Sequence, residues 1–249
     1  MNTISAPDLA LLSDDRLLAM YQAGQEIFEC YRVLRKAGLN IVGEVLRDTL
    51  NAGNTFYELE HYPPDDVYDA QTHAQYYYHS HRGEVGEHGH FHTFLRAAGM
   101  PVGSSPVNFA TTDPWPQGDA AVSHLFAIAM DAHGYPTGLF TVNRWVTDET
   151  WYPGEHVIRM LDYFKIDHAF PSWPVNRWIS AMAILFRPHI EALIHQRDQT
   201  IQHAFNRSPE KNIFEDRSLD VTSFMAISVD EFMTKLKCLM NARHLEFNR

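Results

Sequence analysis

The histidines of this chain are concentrated, since five of the 15 fall between His79 and His92. His79 and His81 are separated by one residue, and His88, His90 and His92 repeat that spacing. Successive side chains of a β-strand point to opposite faces, so each set shares a face if the segment is extended. Imidazoles two apart on one strand, joined by a third from the next strand, give a three-ligand metal set with an open position. The spacing predicts a metal site on a β-hairpin.

The turn between the two strands decides which histidines meet. A four-residue turn over 83–86 sets His79 opposite His90 and Tyr77 opposite His92. All five imidazoles then line one face of the hairpin. We expect His79 and His90 to lie directly across from each other.

A three-residue turn would shift the pairing by one residue and place His79 and His81 beside Glu87. That arrangement is the two-histidine, one-carboxylate set of non-haem iron sites. The opposite charges of Arg82 and Glu87, which pair across the strands only with the longer turn, favour the first register.

The ligand type admits several metals, because imidazole suits zinc, iron, copper and nickel. We expect Zn²⁺ or Fe²⁺, with manganese, copper and nickel as alternatives. Tyr77 points to the histidine face as a candidate proton donor, and Glu87 is the second catalytic candidate. The favoured interpretation is a mononuclear metalloenzyme, a hydrolase or a non-haem iron oxidoreductase, acting on a small molecule. Its candidate ligands are His79, His81, His88, His90 and His92.

A second interpretation belongs to another class of protein. A metal sensor or storage protein would use the same histidines in a closed coordination sphere without turnover. The Pro- and Gly-rich segment 99–118 is typical of a long surface loop and predicts a lid over a site. Such a lid favours the enzyme.

One short motif resembles a known signature. His88-Gly-His-Phe-His-Thr-Phe94 resembles the HxHxH motif of histidine-triad nucleotide hydrolases over seven residues. The resemblance implies that His90 attacks a phosphate as a nucleophile.

A broader resemblance spans most of the chain. Tyr76–Arg96, which contains Glu87-His-Gly-His-Phe-His92, and Asn143–Trp151 are similar to an uncharacterised family of bacterial proteins with an EHGHFH-type histidine motif. This resemblance implies no activity.

The rest of the chain alternates between helical and extended patterns. Helices are predicted over 14–36, 41–50, 154–165, 174–205 with a kink at Pro188, and 229–241 behind the capping box that Ser228 begins. Strands are predicted over 76–82, 87–95, 123–131 and 139–146, and the paired prolines of segment 58–69 predict a loop. His124 is expected on the same face as Phe126, in the core.

This order predicts an α+β fold, with an antiparallel β-meander or partial barrel flanked by N-terminal and C-terminal helices. We expect one domain over 1–249, with a helical part (1–53), a β-rich core that carries the metal site (70–150) and a second helical part (154–249).

Composition narrows the partners. The 31 acidic residues against 20 basic ones give a net charge of -11, which disfavours nucleic acid. No apolar run approaches the roughly 20 residues that cross a bilayer, so we expect a cytoplasmic protein without a membrane partner. The two cysteines form no CxxC pair, so a cysteine metal site is not expected. A small-molecule substrate is the expected partner, and a homodimer is allowed.

Overall fold

A computed structural model describes residues 4, 6–51, 53, 57–80, 86–109 and 114–245. The α-helices are Asp14–Lys36 (α1), Ile41–Val45 (α2), Arg47–Asn51 (α3), Arg144–Thr147 (α4), Gly154–Met160 (α5), Trp173–Leu185 (α6), Arg187–Arg207 (α7) and Val229–Ala242 (α8). The strands are Tyr62–Tyr68 (β1), Ala74–His79 (β2), Gly89–Arg96 (β3), Val122–Met130 (β4), Pro136–Val142 (β5) and Val221–Ala226 (β6). The described residues therefore form an α+β fold, as predicted.

The six described strands form one antiparallel sheet in the order β1-β2-β3-β4-β5-β6. The order follows the chain, so β1 to β5 are a meander, and β6 joins after the helices α4 to α7. Helices precede and follow the meander, which confirms the predicted flanking arrangement. None of the described helices combines the length and apolar composition that a bilayer crossing requires.

One face of the sheet packs against helices, and we call it the helix face. It carries Tyr76, Tyr78 and Phe91, which belong to the main hydrophobic core together with α1 and α6. Trp178 of α6 lies 5.6 Å from the Phe91 ring, and the Tyr76 hydroxyl donates a hydrogen bond to Asn176 Oδ1 at 2.6 Å. These contacts fix the sheet on a helical support.

The opposite face is the histidine face, and it carries Tyr77, His79, His90, His92 and Phe140. It is also closely packed, because these side chains contact one another as aromatic rings and all are buried. The alternation of β2 and β3 thus sends Tyr76, Tyr78 and Phe91 to the helix face, and it sends Tyr77 and the three histidines to the histidine face.

The predicted helix starts and the break at proline are confirmed. Ser13 caps α1 and Ser228 caps α8, each through a side chain that accepts from the backbone N–H three residues on. The expected kink before Pro188 is a break at Phe186, which separates α6 from α7.

The prediction that segment 58–69 is a loop was wrong over Tyr62–Tyr68, which forms β1. Proline is tolerated at a sheet edge or a bulge, and β1 is an edge strand. Its register shifts between Tyr62 and Val67, so Pro63 and Pro64 lie where the ladder is interrupted.

Two of the other differences concern strands. The strand predicted to run to Val146 ends at Val142, because Asn143 caps α4 with a side chain that accepts from Arg144 N. The strand β6 was not predicted, since its burial depends on pairing with β5, far away in sequence.

Candidate metal centre

His79, His90 and His92 come together on the histidine face. β2 and β3 pair with His79 opposite His90 and Tyr77 opposite His92, which confirms the four-residue register. Gly86 has a φ of 92°, the left-handed conformation that suits a turn glycine. The predicted pairing of His81 with His88 lies outside the described residues, as does the predicted contact of Arg82.

The three imidazoles form a compact triad. Their ring centroids are separated by 4.6 Å for His79 and His90, 5.1 Å for His79 and His92, and 5.0 Å for His90 and His92. One ligand nitrogen from each residue lies within 4.8 Å of the others, and all three residues are buried. We call His79, His90 and His92 the triad; this name is unrelated to that of the histidine-triad hydrolases. The three residues could hold a metal ion.

Glu87 orients one imidazole of the triad. Its Oε1 lies 2.6 Å from Nδ1 of His90, and the two side chains are 8% and 1% exposed. Glu87 precedes β3, and its side chain reaches the imidazole of His90, three residues further along the chain. A carboxylate on the far nitrogen of a ligand histidine is the usual outer partner at metal sites.

A second imidazole is held by another histidine. His92 Nδ1 lies 3.0 Å from His124 Nε2. A register shift between Thr93 and Phe94 pairs Phe94 with His124 and turns the His124 side chain away from Phe126. The prediction that His124 shares the face of Phe126 was therefore wrong, because simple alternation cannot reveal a bulge.

The environment of His124 is fully buried and contains a carboxyl group. Burial lowers the pKa of His124 to about 3, with further lowering from Arg197 and His90, so its ring is neutral. Glu149 Oε2 accepts a hydrogen bond from the His124 backbone N–H at 2.7 Å. Burial raises the pKa of Glu149 to about 8, against the opposing effect of Arg197.

A cavity of about 470 Å³ adjoins the triad. Its lining includes all three histidines together with His61 and Tyr77, whose rings stack at 3.6 Å. The described residues that complete the wall are Leu59, Phe140, Val142, Trp145, Val146, Asp220 and Val221. The triad is therefore reached from a defined chamber.

His61 belongs to this chamber and was not selected from the sequence. Its Nδ1 lies 2.8 Å from Asp66 Oδ1, and Asp66 Oδ2 accepts from Gln75 Nε2 at 2.5 Å. Only the pairing of β1 with β2 brings His61 beside Tyr77, and this pairing was not expected of a segment predicted to be a loop.

The two remaining ligand candidates are placed differently. Nδ1 of His88 lies 2.7 Å from the hydroxyl of Tyr78, a residue of the helix face, so His88 does not join the triad. Gly89 permits this contact, because a Cβ there would lie 2.5 Å from the Tyr78 hydroxyl oxygen and from the carbonyl oxygen of His79. His81 lies outside the described residues.

Tyr77 lies where the sequence indicated, at 5.3 Å from His92 and 5.2 Å from His79 between ring centroids. Burial raises the pKa of Tyr77 well above its ordinary value, with smaller contributions from the carboxyl groups of Asp66 and Glu149. The phenol therefore keeps its proton at neutral pH.

The segment 99–118 was predicted to be a lid, but the described part of it does not lie over the triad. Its described residues, within 99–109 and 114–118, line a separate cavity of about 850 Å³ with Thr150 and Tyr152. None of them lines the chamber at the triad.

A comparison with protein families finds one match. The model of a family described as "Domain of unknown function (DUF6969)" covers residues 21–227. No curated protein and no solved structure matches the chain with significant similarity. The matched segment contains all six described strands, and therefore both strands of the triad and the bulge at His124, and it ends before α8. The predicted membership of an uncharacterised family is confirmed, and the chain belongs to the DUF6969 family.

Proposed function

We propose that the protein is a metal-dependent enzyme with a mononuclear site at His79, His90 and His92. The observation that carries the proposal is the buried triad at the wall of a chamber, with Glu87 hydrogen-bonded to the far nitrogen of His90. Zn²⁺ or Fe²⁺ fits three neutral imidazoles, and manganese, copper and nickel are the alternatives.

The hydrogen bonds of the triad support particular ligand atoms. Nδ1 of His90 is bonded to Glu87 and Nδ1 of His92 to His124, so Nε2 would be the ligand atom of both. Tetrahedral bonds of about 2.0–2.1 Å bring ligand nitrogens to about 3.3 Å from each other. Because the triad nitrogens lie within 4.8 Å of one another, the distances between them would shorten by up to about 1.5 Å on binding.

The chamber favours an enzyme over a storage protein. Three protein ligands leave a position for water or substrate, and the space beside the triad can hold a small molecule. A bound metal would supply Lewis acidity, or dioxygen chemistry if it is iron.

Two protein groups could handle protons beside that position. Tyr77 keeps its phenolic proton and can donate a hydrogen bond to a polar substrate atom. His61, fixed by Asp66 at Nδ1, would present Nε2 as the acceptor. Glu87 is assigned a positioning role, since it contacts His90.

The histidine-triad nucleotide hydrolase is disfavoured by the position of His88. The nucleophile that the resemblance implies is His90, on β3. His90 and His92 belong to the triad, whereas the neighbouring His88 is hydrogen-bonded to Tyr78. The single-strand set of three imidazoles that the resemblance implied is therefore incomplete.

The proposal is tested by loading the purified protein with Co²⁺ and recording its visible spectrum and metal stoichiometry. We expect one ion per chain, and we expect His79→Ala and His90→Ala each to lose it, because each removes a ligand. His88→Ala is the matched control and should keep the ion. Full occupancy in both ligand variants, with their circular dichroism unchanged, would overturn the proposal.

A further inference from the structure

We infer that the site binds a small, mostly apolar molecule with one metal-binding polar group and a neutral or positively charged far end. This inference rests on the proposed metal function and adds the class of substrate. It follows from the wall of the chamber, its charges and its volume.

Part of the chamber wall is apolar. Phe140, Val142, Val146 and Val221 line it, and Phe140 lies 5.3 Å from the His90 ring. Trp145 adds its indole ring, whose N–H is already donated to the Leu219 carbonyl at 2.9 Å. A substrate therefore meets apolar surface on this side, and burying its own apolar part there is favourable.

The charges of the wall disfavour the binding of a substrate whose far end, away from the metal, is negatively charged. Among the described residues that line the chamber there is no lysine or arginine, and Asp220 contributes a carboxylate. Arg144 is held by Glu215 and Asp148, while Arg217 packs on the Trp145 ring at 4.5 Å. A bound divalent ion would attract one polar or anionic head group, but no described residue of this wall would compensate a second negative charge.

The volume sets the size of the molecule. About 470 Å³ is in the lower part of the range for small-molecule sites, which suits a single ring with short substituents. A phosphate or nucleotide would place further negative charge beside Asp220 and against carbon. The chamber therefore indicates an aromatic or aliphatic compound rather than a phosphorylated one.

Hydroxamates with a common head group test each part of the inference on the Co²⁺ protein. Benzohydroxamate carries a ring that acetohydroxamate lacks, and we expect it to bind about tenfold more tightly because the ring is buried. 4-(Aminomethyl)benzohydroxamate should bind roughly fivefold more tightly than 4-carboxybenzohydroxamate, since the two differ in the charge that faces Asp220. Dissociation constants come from titrations of the visible spectrum.

Two variants locate the effects. Trp145→Ala should weaken benzohydroxamate while leaving acetohydroxamate unchanged, and Asp220→Asn should remove the preference for the amine. Asp119→Asn, at an exposed position outside the chamber, is the matched control and should keep that preference.

The outcomes separate the two proposals. If the protein binds cobalt but binds benzohydroxamate and acetohydroxamate equally well, the substrate class is overturned and the metal function stands. A preference for 4-carboxybenzohydroxamate over the amine has the same meaning. Failure of the wild-type protein to bind cobalt overturns the metal function, and the substrate class with it.

Discussion

The hydrogen bond between Glu87 and His90 gives the most demanding quantitative prediction. Glu87→Ala removes a carboxylate 2.6 Å from Nδ1 of an imidazole that is 1% exposed. We expect it to lower metal affinity without removing a ligand, because the carboxylate stabilises the positive charge that metal binding places on the ring.

The magnitude follows from the burial of the pair. A hydrogen bond to a charged group contributes about 1.5–3 kcal/mol, and loss of an outer partner costs about 10–100-fold in metal affinity, or about 1.4–2.7 kcal/mol. Both residues are almost fully buried, so the effect should lie within that range rather than near zero. Glu87→Gln keeps an acceptor without the charge, and its loss should be smaller.

Competition between the protein and a chromophoric zinc chelator measures the dissociation constants. Glu210→Ala removes a carboxylate from an exposed position and serves as the control for net charge. The assigned role of Glu87 would be refuted if Glu87→Ala kept zinc affinity within twofold of the wild type. An equal loss in Glu210→Ala would refute it as well, since the effect would then be one of overall charge.

Three further predictions concern stability and pH. Gly89→Ala should lower the free energy of unfolding by roughly 1–3 kcal/mol in chemical denaturation, because the added Cβ would lie 2.5 Å from the Tyr78 hydroxyl and from the His79 carbonyl oxygen. Gly43→Ala is the control: its Cβ has room, so the free energy of unfolding should not fall. The pKa of Glu149 is raised from 4.5 to about 8, so the folded protein retains a proton that the unfolded chain loses; the free energy of unfolding should fall by roughly 2–5 kcal/mol as pH rises from 4.5 to 8, and Glu149→Gln should flatten that decline. Zinc affinity, measured by chelator competition, should weaken as pH falls through about 6.5, where free imidazole takes up a proton, and an affinity constant to pH 5 would contradict histidine ligands.

Sequence periodicity was sufficient for the central hairpin. Alternate histidines on two strands joined by a glycine-containing turn predicted the pairing of His79 with His90, because side-chain alternation and turn length together fix register. Local signals also located the Ser228 cap and the start of α1 at Asp14, since a cap depends on residues only three positions apart.

The parts that could not be predicted depend on distant pairing. His61 reaches the chamber only because a proline-containing segment pairs as the edge strand β1, which local propensity argues against. His124 turns towards His92 through a bulge, and His88 leaves the triad at the strand end, where its ring meets Tyr78. At His124 the backbone irregularity overrides the two-residue period.

The role of Arg144 illustrates the same limit. Arg144 is buried, and its side chain donates to the Glu149 carbonyl while pairing with Glu215 and Asp148. The long-range partners that make it structural cannot be recognised from the Asn143–Trp151 tract alone.

A crystal structure of the zinc-loaded protein, with anomalous data collected at the zinc edge, tests the central claim most directly. We expect a single anomalous peak about 2.0–2.1 Å from one nitrogen each of His79, His90 and His92, with the fourth position facing the chamber of His61 and Tyr77. A fourth protein ligand would contradict the enzyme and favour metal storage. Zinc bound elsewhere, with the triad empty, would contradict the account as a whole.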